Sequence, residues 1–175
     1  NLGNLYRILN NEKKAIFFFK QAINIKPSFY PAHFNLGILY KNIGNFEKAR
    51  FYLKEATKIN PNLYTAHRNL SEIIKYTKDN EHLNLLIKIY DKNTKNPINQ
   101  KEIAFALGKA FEDMNIYDKA FKYYNDGNNF QRKTFNFSIR DEQDEINIIK
   151  KKFSKEFINK NKNVKNKTNI PIFIL

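Results

Sequence analysis

A chain of 175 residues with 42% apolar content, 16 Phe and 10 Tyr has the apolar mass for one domain or for several stacked repeats, which excludes general disorder. It contains no Cys, which excludes disulfides, thiolate metal sites and cysteine nucleophiles and points to a reducing compartment such as the cytoplasm. The formal charge of +14, from 31 basic and 17 acidic residues, favours anionic partners in general. No nucleic-acid reader motif accompanies it, though, and no apolar run approaches the ~18 residues of a membrane span.

From the amino end, Asn1 to Asn10 and Glu12 to Asn24 predict two helices, closed by Pro27. The stretch 30–61 then repeats residue types at a spacing of about 34 residues. Leu36-Gly37 answers to Leu2-Gly3, Tyr40 to Tyr6, Ala49 to Ala15, Ala56 to Ala22 and Pro61 to Pro27. Forward, His33 answers to His67, Asn35-Leu36 to Asn69-Leu70, and Gly37 to Ser71, still small. Two antiparallel helices approach closely only where small residues face each other, as Gly37, Ala49 and Ala56 would, with Gly44-Asn45 turning between them. In a third unit, 64–95, Leu83 and Tyr90 stand where Ala49 and Ala56 stood, so the second helix is expected to survive at a changed packing distance. A polar connector, Asp91 to Asn99, precedes a fourth unit, 101–130, with Leu107-Gly108, Phe111, Tyr117, Ala120 and Tyr124 in register.

These positions resemble the tetratricopeptide repeat (TPR) family. The resemblance implies an all-α fold, an α-solenoid of TPR helical hairpins spanning 1–130, whose first helices line a groove for extended peptides. By register the groove candidates are Phe34, Asn35, Ile38 and Lys41 of the second repeat and Arg68, Asn69 and Glu72 of the third. Asn4 and Asn35 fall where some family members carry the asparagines of a terminal-carboxylate clamp, but Thr65 and Asn69 stand where that clamp carries Lys and Arg. His33 and His67 share one repeat position and are expected to pack in the core; His82 carries no signal of its own. The partner this implies is a protein or peptide, acidic if the net charge is used.

Past Gly127-Asn128 the repeat pattern is expected to end. Asp141, Glu142, Asp144 and Glu145 lead into Ile146, Ile149, Phe153 and Phe157 with four lysines behind, predicting a closing helix within 131–158 whose acidic start and basic end suit a helix dipole. Residues 159–169 are nearly all Asn and Lys, a linker, and Ile170–Leu175 is an apolar, β-prone strand. From Lys101 to Leu175 this order is similar to the end of the repeat array in bacterial TPR-linked sulfotransferases, with Asn115 in place of a common turn glycine. That resemblance implies that 170–175 is the first strand of a truncated α/β domain. A loop binding 3′-phosphoadenosine 5′-phosphosulfate (PAPS) would follow, and the acceptor would be a tyrosine or sugar hydroxyl. The chain itself shows no nucleophile–base pair, metal cluster or Gly-rich phosphate loop, so a stand-alone TPR scaffold is the alternative.

Overall fold

The computed structural model describes residues 2–92, 96–134 and 139–161. It divides into two compact units, Asn1–Phe135 and Asn136–Leu175. In the first, eight helices alternate along the chain: α1 (Leu2–Ile8), α2 (Glu12–Ile25), α3 (Tyr30–Asn42), α4 (Phe46–Ile59), α5 (Tyr64–Ile73), α6 (Glu81–Asp91), α7 (Pro97–Asp113) and α8 (Tyr117–Arg132). No strand occurs among the described residues. The fold is an all-α solenoid of helical hairpins.

Asparagine does much of the local work. Asn11, Asn45, Asn80 and Asn96 each cap the helix that follows by accepting from a first-turn amide, for example Lys14 N–H on Asn11 Oδ1 at 3.1 Å. Each such cap stabilises its helix by about 1 kcal/mol over alanine. Three hairpin turns share one geometry. Asn10, Gly44 and Asn115 take positive φ (54°, 78° and 58°), and the next amide donates back five residues to Tyr6 O, Tyr40 O and Phe111 O at 2.8–2.9 Å. This left-handed position suits Gly and is tolerated by Asn, so Asn115 replaces a glycine without losing the turn.

Hairpin packing follows the small residues. A methyl placed on Gly37 would lie 2.6 Å from the Leu53 side chain and 3.2 Å from the Leu53 backbone nitrogen, so α3 and α4 meet backbone to side chain. Leu36, Leu53 and Leu70 are essentially fully buried. Each contributes about 1.5–3 kcal/mol of transfer free energy. One cluster centres on Ala15, Phe19, Leu36, Tyr40 and Ala49, a second on Leu53, Leu70, Leu83, Leu107 and Phe111, and Ile73 packs against both.

The third hairpin departs. Its α6 is present, but α5 packs on α4 and α7 while α6 leans on α7, and α5 and α6 make little backbone contact. The helix α5 stops at Ile73, three residues shorter than α3, and Ile74 is extended. The freed backbone groups are held by α7. Lys109 Nζ donates to Ile74 O at 2.6 Å, and the Tyr76 amide donates to Asp113 Oδ2 at 2.9 Å.

Three sequence expectations are corrected. Pro97 is not in a connector but opens α7 at its first turn, where its missing N–H costs nothing. Gly127 is buried within α8, which runs to Arg132, and a methyl there would lie 2.9 Å from the Phe105 ring. In the second unit the expected single helix is two, α9 (Ile139–Lys152) and α10 (Lys155–Asn161). Ser154 breaks it, because its Oγ accepts the Phe157 amide at 3.2 Å as a helix cap. Asn159, Lys160 and Asn161 are thus helical rather than linker. The rest of 159–169 and the expected strand 170–175 lie outside the described residues.

Candidate functional site

The first helices α3 and α5 carry the predicted groove residues. Lys41, Arg68, Asn69 and Glu72 come together. Lys41 Nζ donates to Asn69 Oδ1 at 2.5 Å and pairs with Glu72 at 2.6 Å, and Arg68 reaches Glu72 at 3.5 Å and Glu102 of α7 at 3.3 Å. Lys101 adds a 3.3 Å pair with Glu102, and the Arg68 guanidinium lies 4.7 Å from the Phe105 ring centroid. Asn69 is oriented by donating its amide to Thr65 O at 2.8 Å. The other three positions differ. Phe34 and Ile38 pack, partly buried, against the main core cluster, and Asn35 faces the preceding repeat, lining a small pocket with Asn4. Asn4 Oδ1 is buried there without a partner.

Beside this ladder a pocket of about 160 Å3 is lined by Arg68, Glu72, Phe105, Lys109 and Tyr124. Tyr124 is fixed by donating to Glu112 at 2.6 Å, and burial together with that carboxylate raises its phenol pKa. The groove's cations therefore already have partners: Lys41 and Arg68 on Glu72 and Glu102, Lys109 on Asp113.

Under the groove lies a polar cluster that the sequence reading missed. His33 and His67 do sit in the core, and there they also tie down the inter-repeat loops. The Nε2–H of each donates to the carbonyl of the loop proline six residues earlier, Pro27 O and Pro61 O, at 2.9 Å. With Nε2 so committed, neutral His67 offers Nδ1 as an acceptor to His82 Nε2–H at 3.0 Å. His82 Nδ1 then accepts from Tyr76 Oη–H at 2.7 Å. Ser71 Oγ lies 2.5 Å from Tyr76 Oη and 3.0 Å from His67 O, so its one proton is shared between them. His82 is therefore not isolated. Burial, then the neighbouring His67 and Lys54, hold its pKa down to about 3, and burial lowers that of His67. The available signal was Ser71, a hydroxyl where the other repeats place glycine.

Among the described residues no group of three or more His, Asp or Glu side chains is placed to hold a metal, and no helix is long and apolar enough to cross a membrane.

Stacked hairpins with small residues at their crossings and a lined face of first helices define a helical-repeat interaction module. Tetratricopeptide repeat family models match residues 1–29 and 30–63, so the chain's first two hairpins are tetratricopeptide repeats. No curated protein matches it. Among solved structures, "MamA MSR-1 C2" is similar in fold at a TM-score of 0.51 and 14% identity, over 77% of this chain and 75% of that one. "Crystal structure of MamA" matches at a TM-score of 0.46 and 17% identity, over 76% of this chain and 96% of that one.

Proposed function

We propose that this protein is a TPR protein-interaction module that holds an extended segment of a partner along α3, α5 and α7, with Phe34, Asn35, Ile38, Lys41, Arg68, Asn69 and Glu72 as the contact set. The observation that carries this reading is the ladder from Lys41 through Asn69, Glu72 and Arg68 to Glu102, which presents donors and acceptors from three successive first helices beside a pocket sized for one side chain. The pairs that Lys41 and Arg68 make with the exposed Glu72 exchange readily for ligand groups, because exposed ion pairs contribute only about 0–1 kcal/mol each. An acidic segment fits by displacing Glu72 from Lys41 and Arg68. Selection from a displayed random-peptide library tests it: enriched peptides should lose binding to the Arg68→Ala and Asn69→Ala variants at unchanged helicity. Enrichment indifferent to both substitutions would refute the groove.

On the order of features from Lys101 to Leu175 we further propose that the module is the partner- or acceptor-presenting part of a PAPS-dependent sulfotransferase. A stand-alone TPR scaffold fits the repeats equally well. The parent reading requires a coding sequence that continues past Leu175 into a Gly-rich, Arg-containing loop and a product that binds PAPS; a continuation lacking that loop leaves the scaffold.

A further inference from the structure

The broken third hairpin opens a second site. Between α4, the α5–α6 loop and α6 lies a cavity of about 1020 Å3. That is at the upper end of the ~300–1,000 Å3 typical of ligand clefts. It exists because α6 leans on α7, leaving α4 and α6 with little contact. One wall is a line of cations: Arg50, Lys54 and Lys58 follow one another at four-residue intervals on α4, all exposed. Unlike the groove lysines, none of the three has an ion-pair partner within 4.0 Å among the described residues, and Lys75 joins them from the loop, also unpaired. Glu55 of α4 also lines the cavity, as do Asp79 and Glu81 from beyond α5 and the apolar Leu70 and Ile74, so the four cations face three carboxylates. Leu70 lies on a different face of α5 from Arg68, Asn69 and Glu72, and Ile74 just past its end, so the cleft is separate from the groove.

Spacing and surroundings select the occupant. Four helical residues rise about 6 Å, and alternate side chains on one edge of an extended strand lie about 6.6 Å apart. Carboxylates at every second position of an extended peptide therefore match the three cations in turn. A single-stranded nucleic acid has a similar charge spacing but needs ring platforms for its bases. No Phe, Tyr or Trp lines the cleft, and the His82 ring is already stacked on His67 at 5.2 Å. Asp79 and Glu81 would also repel an unbroken phosphate chain, whereas a peptide can turn uncharged side chains toward them. We propose that this cleft binds an extended acidic segment of a partner protein, its alternate carboxylates paired with Arg50, Lys54 and Lys58.

The test is fluorescence anisotropy on the full chain, using a labelled peptide with Asp-Ser-Asp-Ser-Asp at its centre. Binding should weaken as salt rises from about 50 to about 300 mM, since exposed charges are screened over that range. The variant combining Arg50→Gln, Lys54→Gln and Lys58→Gln, or Lys54→Gln alone should the triple variant not fold, should bind more weakly, the triple by at least about tenfold. All titrations are made in the Arg68→Ala background, where the groove's contribution is removed, so that the binding read belongs to the cleft whether or not the groove reading survives. A peptide of the same composition with its aspartates contiguous should bind less well. Salt-insensitive binding, no binding in the Arg68→Ala background, binding there undiminished by the α4 substitutions, equal binding of the contiguous peptide, or oligouridylate outcompeting the peptide would each overturn the proposal.

Discussion

Lowering the pH should destabilise the repeat array through His82. Both ring nitrogens of His82 are engaged, with His67 and Tyr76, and its folded pKa sits at about 3, depressed by burial, His67 and Lys54. In the unfolded chain it returns to about 6.5. Above pH 6.5 it is neutral in both states and the cluster's stability is fully present. Between pH 6.5 and 3 only the unfolded state takes up the proton, so stability falls by about 1.4 kcal/mol per pH unit, reaching a loss of about 2 kcal/mol at pH 5. His67, shifted in the same direction, adds to the loss. Urea unfolding followed by circular dichroism at pH 7 and pH 5 measures it, with His82→Gln as comparison. Glutamine keeps a donor and an acceptor but does not titrate, so its pH dependence should be shallower by about that amount. Equal slopes would refute the reasoning. A wild-type chain that gains stability toward pH 5 relative to the variant would mean something specific. The cluster has five close polar contacts and only four protons when neutral. Such a gain would show that a fifth proton, completing the set, outweighs the cost of a buried charge.

Three further outcomes are expected. Gly37→Ala should destabilise by about 1–3 kcal/mol of overpacking against Leu53, less up to ~1 kcal/mol of helix propensity, and Gly108→Ala should cost less because only the Tyr124 side chain must move; urea titration ranks them. Asp113→Ala should cost about 1–3 kcal/mol by leaving the Tyr76 amide without its acceptor, and amide exchange at Tyr76 should accelerate accordingly. Glu72→Gln should tighten groove binding of an acidic peptide by freeing Lys41 and Arg68, so a weaker complex in titration calorimetry would contradict displacement as the mode of binding.

What could be read in the sequence is what a period encodes. Leu2-Gly3, Leu36-Gly37 and Leu107-Gly108 mark close helix crossings, and the asparagine at 10 and 115 fills the left-handed turn position that Gly44 holds elsewhere. The groove register could likewise place Lys41, Arg68, Asn69 and Glu72 on one surface. It could not show that they neutralise one another, since pairing depends on side-chain reach between adjacent repeats. Nor could it find the His67–His82–Tyr76 cluster. Those contacts arise where the hairpin opens, and there the neighbouring repeats offer no template. Ser154 misled for a related reason: one cap bond decides whether a helix breaks or continues, a single-residue event inside a pattern compatible with both.

Whether the surface of first helices binds a partner is tested most directly by titrating a library-selected peptide into isotopically labelled protein and mapping the backbone-amide shifts. Changes are expected to concentrate at Phe34–Lys41 on α3, Arg68–Glu72 on α5 and Glu102–Lys109 on α7, saturating together with one affinity. Shifts confined to α2, α4 and α8, with those three stretches unmoved at saturation, would contradict binding along the first helices.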